Sequence, residues 1–328
     1  MTGCGQPTGG TGSELPVAHA KDGPASPDLS VSIGDLRLRN PVMVASGTFG
    51  FGTEYADIVD ISRLGAIVVK GTTLDPWPGN PPPRIVETPA GMLNSIGLQN
   101  DGVESLLSEK LPRLRRYGVP VIVNVCGKTL VEYVRLCEIL EAADDIAAVE
   151  LNASCPNIEH GGMSFGTSCP EMTDLVAACR KATTKPLIVK LSPNVTDIVP
   201  IAKAAQDAGA DALSLINTLL GMAIDVDTWR PRLAKVTGGL SGPAIRPVAV
   251  RMVWQVAQAM PLPIIGIGGI MTADDALEFL LAGATAVAIG TANFVNPPAS
   301  LEIIEGIAAY LQKRHIKSVR DIIGKLHV

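Results

Sequence analysis

The chain lacks the features that mark a nucleic-acid-binding protein. Its formal net charge is −5, and aromatic residues make up only 4% of its 328 residues. Binding to phosphate backbones normally requires a basic face, and binding to single strands requires aromatic side chains on which bases can stack. Nucleic acid is therefore not an expected partner.

Membrane and metal signatures are also lacking. No apolar run approaches the ~20 residues that span a bilayer, and residues 1–28 contain no apolar core of the kind a signal peptide needs. None of the six cysteines belongs to a Cys-x-x-Cys pair, so their spacing indicates neither a zinc site nor an iron–sulfur cluster. We expect a cytoplasmic chain with reduced thiols and no bound metal.

Apolar residues, by contrast, are abundant: they make up 47% of the chain, enough for a large core. Residues 1–28 are rich in Gly, Pro, Ser and Thr without helical or strand periodicity, which predicts a disordered tail. Alternating apolar residues from Leu29 to Ile33, followed by Gly34 and a second short alternation, predict a β-hairpin. Residues 29–328 are predicted to form one domain.

Eight apolar runs of strand length follow the hairpin, and segments of helix length separate them. Runs that are apolar at every position are typical of strands buried on both faces. Their alternation with helices favours a parallel sheet closed into a (β/α)8 TIM barrel, with a doubly wound open sheet as the alternative. The predicted strands are 42–45, 66–69, 121–125, 147–151, 187–191, 212–216, 264–267 and 286–289, and predicted helices include 130–142, 171–183, 198–208, 247–259 and 273–282.

Polar residues and glycines stand at the ends of these runs. In a (β/α)8 barrel the active site lies at the carboxyl ends of the strands, so these residues would meet at one mouth. Glycines after the last two strands predict a phosphate site, although glycine also suits tight turns. No run completes Gly-x-Gly-x-x-Gly, so a mononucleotide is expected rather than a dinucleotide. The residues are Ser46, Lys70, Asn124, Asn152, Lys190, Asn217, Gly268, Gly269, Gly290 and Thr291.

Cys155 follows the fourth apolar run, in the segment Leu-Asn-Ala-Ser-Cys-Pro-Asn at 151–157. An isolated cysteine is most often a small buried hydrophobe. Here Pro156 fixes the backbone beside the sulfur, and Asn152 and Asn157 offer amides that a packed core would disfavour. The functional interpretation is a reacting thiol that faces a polar, planar ligand.

Three further segments have loop character. Residues 71–84 form a proline-stiffened excursion suited to a rim, a lid or a docking surface. Residues 94–100 place an amide and a hydroxyl together, as a small anionic, planar substrate would require. Residues 238–242 form a glycine loop that could join the phosphate pocket.

Together these motifs resemble the class 1 dihydroorotate dehydrogenases and, within them, the catalytic subunit of the class 1B, NAD-linked enzymes. The resemblance covers the chain from about Leu29 to its last residue. The motifs that carry it are Ala-Ser-Gly-Thr-Phe-Gly at 45–50, Lys-Gly-Thr-Thr at 70–73, Asn-Ser-Ile-Gly-Leu at 94–98, Asn-Ala-Ser-Cys-Pro-Asn at 152–157, Val-Lys-Leu-Ser-Pro-Asn at 189–194, Ile-Asn-Thr at 216–218 and Gly-Thr-Ala-Asn-Phe at 290–294.

The resemblance implies an FMN-containing (β/α)8 barrel that oxidises (S)-dihydroorotate to orotate in pyrimidine biosynthesis. Cys155 would be the base, and Lys70 and Lys190 would be further catalytic residues. FMN would contact Ser46, Lys70, Gly71, Asn124, Asn152, Lys190, Ile216, Gly242, Gly268, Gly269, Gly290 and Thr291. The substrate would contact Lys70, Asn94, Ser95, Ile96, Gly97, Leu98, Asn152, Asn217 and Thr218.

The resemblance also implies a route for the electrons. A partner subunit carrying FAD and a [2Fe–2S] cluster would pass them to NAD, within a heterotetramer built on a homodimer of this chain. Class 2 enzymes reduce quinones at a membrane, but residues 1–28 contain no amphipathic apolar segment for such docking. The resemblance assigns no role to Cys126 or His160.

Three alternative functions fit parts of the sequence. A tRNA dihydrouridine synthase is also a flavin barrel with a Cys-Pro loop, but its usual motif has Gly where this chain has Ser154. A phosphate-binding lyase or isomerase would share the glycine loops and would be colourless. A catalytically silent scaffold is disfavoured by the presence of Cys155 and both lysines.

Overall fold

The structure is a computed structural model that describes residues 26–153 and 165–328. Cys155 and His160 lie outside the described residues, as do residues 1–25 of the predicted tail. The strands are β1 (Val31–Ile33), β2 (Leu36–Leu38), β3 (Val42–Val44), β4 (Ala66–Thr72), β5 (Ile85–Thr88), β6 (Gly91–Asn94), β7 (Val121–Val125), β8 (Ala148–Asn152), β9 (Leu187–Lys190), β10 (Ala212–Leu215), β11 (Leu219–Met222), β12 (Ile224–Asp225), β13 (Arg230–Pro231), β14 (Thr237–Ser241), β15 (Ile264–Ile267) and β16 (Ala286–Ile289).

Helices connect the strands of the main sheet. A Thr272 capping box starts α7 and a left-handed Gly283 ends it, as expected at helix termini. The helices are α1 (Gly102–Ser105), α2 (Leu111–Leu114), α3 (Leu130–Glu141), α4 (Cys169–Ala182), α5 (Val199–Asp207), α6 (Arg246–Ala259), α7 (Ala273–Ala282), α8 (Ala292–Val295) and α9 (Ala299–Lys313). A π-helical segment, Leu106–Lys110, joins α1 to α2, and 3₁₀ turns occupy Ile61–Arg63, Arg115–Tyr117, Pro243–Ile245 and Val319–Asp321.

Eight parallel strands close into a barrel in the order β3-β4-β7-β8-β9-β10-β15-β16. Their residues are buried almost throughout, because one face packs inside the barrel and the other packs against the helices. The predicted (β/α)8 fold is confirmed, and strands β7, β15 and β16 have the bounds expected from the sequence. The shared direction of the strands brings their carboxyl ends together at one mouth.

The predicted N-terminal hairpin is present as the antiparallel pair β1 and β2. Its turn lies near the amino end of the barrel, because a Cβ on Gly34 would come within 3.5 Å of the Cβ of Asp211, just before β10. Asp28, ahead of the hairpin, forms an ion pair with Arg320 at 2.6 Å, and its backbone amide donates a hydrogen bond to the Lys317 carbonyl at 2.9 Å. The start of the described chain is thus attached to its C-terminal segment.

A second, antiparallel sheet rises beside the mouth in the order β11-β14-β6-β5. Its strands come from two connections, one after β4 and one after β10. The segment 238–242 is mostly a strand rather than the predicted loop, since Thr237–Ser241 form β14. It does join the cavity at the barrel mouth as expected, through Gly239, Ser241 and Gly242. The glycines also serve close packing: a Cβ on Gly238 would lie 2.6 Å from the Asn94 carbonyl oxygen, and one on Gly239 would lie 2.0 Å from Thr218 Oγ1. A two-stranded pair, β12 and β13, extends from this region.

None of the helices in 26–153 and 165–328 is long and apolar enough to cross a membrane.

Candidate active site

A cavity of about 410 Å³ opens at the carboxyl end of the barrel. It is lined by every residue that the sequence predicted to contact FMN, drawn from the ends of all eight barrel strands and from the loop after β14. These residues are Ser46, Lys70, Gly71, Asn124, Asn152, Lys190, Ile216, Gly242, Gly268, Gly269, Gly290 and Thr291. The strand-end argument therefore located one continuous site, although the ligand that occupies it stays a prediction.

The predicted substrate residues lie on the same cavity, with one exception. Lys70, Asn94, Ile96, Gly97, Leu98, Asn152, Asn217 and Thr218 line it. Ser95 does not: it is fully buried, and its Oγ has no hydrogen-bond partner among the described residues. Because Asn94 is the last residue of β6, the alternation of strand side chains turns its neighbour Ser95 away from the cavity.

Lys70 lies at the side of the cavity, near the end of β4. Burial lowers the pKa of its ammonium below the usual value; Cys126 opposes this, and the Arg84 guanidinium adds to it. The backbone amide of Lys70 donates to the Gly50 carbonyl at 2.8 Å, which fixes the strand where the side chain leaves it. Lys70 is thus a cation held in a partly desolvated position, where its charge acts strongly on a ligand.

Three amide side chains and one thiol form a network at the bottom of the cavity. Asn152 Nδ2 donates to Cys126 Sγ at 3.4 Å, and the Cys126 thiol donates to Asn124 Oδ1 at 3.4 Å. Asn217 Nδ2 donates to Asn152 Oδ1 at 3.3 Å. The backbone at Asn152 is fixed as well, since the buried Tyr133 hydroxyl donates to its carbonyl at 2.7 Å. Cys126, which the sequence left without a role, therefore connects Asn124 to Asn152.

Lys190 and Glu150 form a buried ion pair below this network. Lys190 Nζ lies 4.0 Å from Glu150 Oε1, and the two side chains expose only 8% and 1% of their surfaces. Glu150 also accepts from Asn124 Nδ2 at 2.6 Å and from Ser214 Oγ at 2.7 Å. The sequence analysis missed Glu150, although an acid inside an apolar barrel strand is a signal that could have revealed it.

Glycines shape the cavity in two ways. Gly268 and Gly269 have φ values of +134° and +73°, a region that other residues rarely adopt. Gly47 and Gly290 leave space instead: a Cβ on Gly47 would meet no atom within 4 Å, and one on Gly290 would find its nearest atoms 3.9 Å away. Protein packing therefore does not require the bare backbone at Gly47 and Gly290, whereas a ligand approaching closely would.

Several residues of the cavity were absent from the predicted cofactor and substrate contacts, although four of them, Arg84, Gln99, Gly239 and Ser241, lie in the loop-like segments that the sequence analysis singled out. Arg84 closes the proline-rich excursion, and Ser241 ends β14, where its Oγ accepts from Thr291 Oγ1 at 2.9 Å. Others are Ala45, Gly47, Thr48, Ile85, Met92, Gln99, Gly239, Ile245, Ile267 and Phe294. Most of them come from the antiparallel sheet or flank predicted residues, so only the tertiary structure brings them to the site. Cys155 lies outside the described residues, and its place at the site stays a prediction.

Comparison with known proteins decides the family. A family model described as "Dihydroorotate dehydrogenase" matches residues 28–311. The chain belongs to the dihydroorotate dehydrogenase family. The match includes every barrel strand and both strand pairs of the antiparallel sheet, so it covers the whole of the cavity. The family predicted from the motifs is confirmed.

Curated relatives agree with this membership in the dihydroorotate dehydrogenase family. "Dihydroorotate dehydrogenase B (NAD(+)), catalytic subunit" of Geotalea daltonii is 60% identical over 304 residues, which are 93% of this chain and 100% of that protein. Proteins of the same name from Geobacter sulfurreducens and Bacteroides thetaiotaomicron are 59% identical over 302 residues and 56% over 301, each covering 92% of this chain and 99% of the relative. The chain is therefore an oxidoreductase of this family.

Proposed function

We propose that this chain oxidises (S)-dihydroorotate to orotate with bound FMN, in pyrimidine biosynthesis. The observation that carries the proposal is the convergence of two lysines and four asparagines on one cavity at the carboxyl end of the barrel. Amide and ammonium groups suit a ligand that is planar, polar and anionic, as orotate is. The residues are Lys70, Lys190, Asn94, Asn124, Asn152 and Asn217.

The cavity fits a flavin mononucleotide. The open space above Gly47 and Gly290 admits a ligand against bare backbone, and glycines after β15 and β16 suit close contact with phosphate oxygens. When bound, FMN would supply the acceptor for the hydride that leaves C6 of the substrate. Ser46, Lys70, Gly71, Asn124, Asn152, Lys190, Ile216, Gly242, Gly268, Gly269, Gly290 and Thr291 would hold it.

The substrate would lie between the FMN-binding residues at the strand ends and the antiparallel sheet. Asn94, from β6, faces the cavity opposite the barrel residues Asn152 and Asn217. Asn94 Nδ2 donates to the Gly239 carbonyl at 3.3 Å, which fixes the orientation of its amide. Amides on several sides of the substrate ring would hold the ring in one orientation. This contributes to catalysis by reducing the entropy lost in the reaction.

Charged and reacting groups would have separate tasks. Cys155 would remove the proton from C5, because a thiol whose free pKa is ~8.5 is within reach of physiological pH as a base. Lys190 would stabilise negative charge that develops on the ring beside it, since a buried cation acts in a medium of low dielectric. Lys70 would contact both ligands from the side of the cavity.

Electrons must then leave the site, and we propose a partner subunit with FAD and a [2Fe–2S] cluster that delivers them to NAD. The name of the relatives, with its catalytic subunit and NAD(+), supports this. Exposed apolar side chains also concentrate in β11 and in the β12–β13 hairpin, where Leu220, Ile224, Val226 and Trp229 are 57%, 57%, 77% and 88% exposed. Such a patch supports a protein interface, and we propose a homodimer within a heterotetramer. Analytical ultracentrifugation of the chain alone and with the partner subunit tests this assembly.

We further propose a cytoplasmic location. The four cysteines for which the structure describes the sulfur, Cys126, Cys137, Cys169 and Cys179, form no disulfide among the described residues, as a reducing compartment would maintain them. Cell fractionation tests this.

The experiment that tests the reaction is an anaerobic absorption spectrum. The purified chain should show a visible flavin band that bleaches when dihydroorotate is added, because the substrate reduces bound FMN. A flavin band that dihydroorotate leaves unchanged, but that another substrate bleaches, would contradict the proposed substrate. A colourless protein that does not bind added FMN would contradict the cofactor and favour a lyase or isomerase.

A further inference from the structure

Glu150 is an acid in the middle of β8, between the apolar residues Val149 and Leu151. It exposes only 1% of its surface and does not line the cavity, so it cannot touch a ligand there. A carboxylate without partners in such a place would strongly destabilise the protein. The groups around Glu150 therefore have to stabilise its negative charge.

Partners reach Glu150 from three other strands of the barrel. Asn124 on β7 donates to Oε1 at 2.6 Å, and Ser214 on β10 donates to Oε2 at 2.7 Å. Lys190 on β9 places its ammonium 4.0 Å from Oε1. Two of these three, Asn124 and Lys190, line the cavity. Glu150 is thus the common support of two residues that face the ligand.

The carboxylate determines how the Asn124 amide is turned. A carboxylate only accepts hydrogen bonds, so Asn124 has to present its NH₂ group to Glu150 and its oxygen to the opposite side. On that side the Cys126 thiol donates to Asn124 Oδ1 at 3.4 Å. The two buried neighbours Glu150 and Cys126 therefore fix which end of the cavity-lining Asn124 amide is the donor and which is the acceptor. Glu150 fixes this more strictly, because a carboxylate cannot donate a hydrogen bond.

Glu150 also sets the charge that the ligand meets at Lys190. A separation of 4.0 Å is an ion pair rather than a hydrogen bond, so Glu150 holds the ammonium in place electrostatically. Both groups are buried, and water screens neither of them well. The negative charge of Glu150 consequently offsets part of the positive field of Lys190 at the cavity.

We propose that Glu150 is a positioning residue, which orients Asn124 and Lys190 beneath the ligand and moderates the positive charge that Lys190 presents to it. The inference rests on the proposed function in that the ligand is FMN. Reduced FMN carries more negative charge than oxidised FMN, so loss of the Glu150 charge should favour the reduced form.

Redox equilibration of the holoprotein with a reference dye tests the charge effect. Glu150→Gln keeps the size of the side chain and one acceptor oxygen for Asn124 while removing the charge, and its NH₂ group replaces the oxygen that accepts from Ser214. We expect the affinity for reduced FMN, relative to oxidised FMN, to rise by about tenfold. Ser214→Ala, which removes one hydrogen bond to the same carboxylate but keeps the charge, should leave the ratio within about twofold. An unchanged ratio in Glu150→Gln, with FMN bound, would overturn the inference.

A second measurement uses the full chain without FMN. In urea unfolding, Glu150→Gln and Lys190→Met should each lower the midpoint, because each leaves one buried partner without its counterpart. The double variant should recover most of the loss, whereas additive losses would overturn the pairing. If the wild-type chain bound no FMN, the proposed function would be contradicted, and this cycle would still decide whether Glu150 and Lys190 are coupled.

Discussion

At the amino end of the barrel, Glu141 ends α3 and accepts hydrogen bonds from the Thr183 and Thr184 hydroxyls at 2.6 and 2.5 Å. Nearby, Arg180 pairs with Asp211 at 2.6 Å and donates to the Lys185 carbonyl at 2.9 Å. These contacts join consecutive elements of the outer layer. At the carboxyl end, the polar groups of Lys70, Lys190 and the asparagines line a cavity instead. One end thus uses polarity to hold the fold, whereas the other keeps polar groups available to a ligand.

The difference has a physical basis. Polar groups that satisfy one another at the amino end stabilise the folded state. Polar groups that face an open volume have fewer hydrogen-bond partners within the protein, so they can form hydrogen bonds and ion pairs with a ligand that enters. Changes at the carboxyl end should therefore affect ligand binding and rate, and changes at the amino end should affect stability. The predictions below test that division.

The largest expected effect is at Cys155. Cys155→Ala should retain FMN and lose turnover by about 10²- to 10⁴-fold, because a general base contributes about that much. Steady-state rates with dihydroorotate and a dye acceptor measure this. Cys169→Ala is the matched control, since Cys169 does not line the cavity, and its turnover should be unchanged. Full turnover in Cys155→Ala would remove the thiol from the mechanism.

The same substitution, glycine to alanine, made once at each end of the barrel tests the division between the two ends more directly. Gly290→Ala adds a methyl group in the open cavity, so FMN should bind about tenfold or more weakly, equivalent to about 1.4 kcal/mol, with little change in stability. Gly283→Ala, at the amino end, places a Cβ 2.4 Å from Ala257 Cβ at a φ of +117°. We expect Gly283→Ala to lower the free energy of unfolding by roughly 1–3 kcal/mol and to retain FMN affinity.

Fluorescence titration with FMN and urea unfolding measure the two quantities in both variants. The division between the ends would fail if Gly283→Ala impaired FMN binding as much as Gly290→Ala. Equal FMN affinity in Gly290→Ala and wild type would remove Gly290 from the cofactor site.

The smallest effect is expected at Glu141. Its hydrogen bonds to Thr183 and Thr184 lower its pKa from 4.5 to about 2. A folded-state pKa below the unfolded value stabilises the protein above about pH 4.5, and this contribution is lost as pH falls toward 2. Glu141 is partly exposed, so Glu141→Gln should lower the free energy of unfolding at pH 7 by only about 1 kcal/mol.

Urea unfolding at several pH values between 7 and 3 measures the Glu141 contribution. The difference between wild type and Glu141→Gln should shrink as the pH approaches 3. Glu138→Gln is the control on the same helix, because Glu138 forms an exposed ion pair with Arg135, and we expect a change of about 0.5 kcal/mol or less. A Glu141 effect that persisted unchanged at low pH would show that the carboxylate charge is not its source.

The barrel could be predicted from the sequence because its strands are buried on both faces. Runs such as Val121–Val125 and Ala286–Ile289 are apolar at nearly every position, and their lengths of 5 and 4 residues favour a buried strand over a helix. Strand ends then predicted the cavity, because parallel strands bring their carboxyl ends together. Lys70 and Lys190, widely separated in sequence, both line it for that reason.

The antiparallel sheet could not be predicted in the same way. Gly238 and Gly239 in β14 and Gly221 in β11 interrupt the alternation that marks a half-buried strand, so the pattern favoured a loop. Glycine is needed there because neighbouring groups approach too closely for a Cβ, and sequence alone does not show such a neighbour. Ser95 was assigned to the site with its neighbours, although the pleat of the strand turns it away.

The pairing of β6 with β14 has a consequence for how this protein folds. Asn94 and Gly239, which that pairing joins, are 145 residues apart in the chain. Contacts of such high sequence separation close a long loop, so they form late and slow the folding of a domain. Most barrel strands pair with the next barrel strand along the chain, although β16 returns to pair with β3, and the antiparallel sheet beside the cavity forms only when its two distant excursions meet. A ligand held between the barrel and this sheet would bridge segments that are far apart in the chain, and it would slow their separation during unfolding.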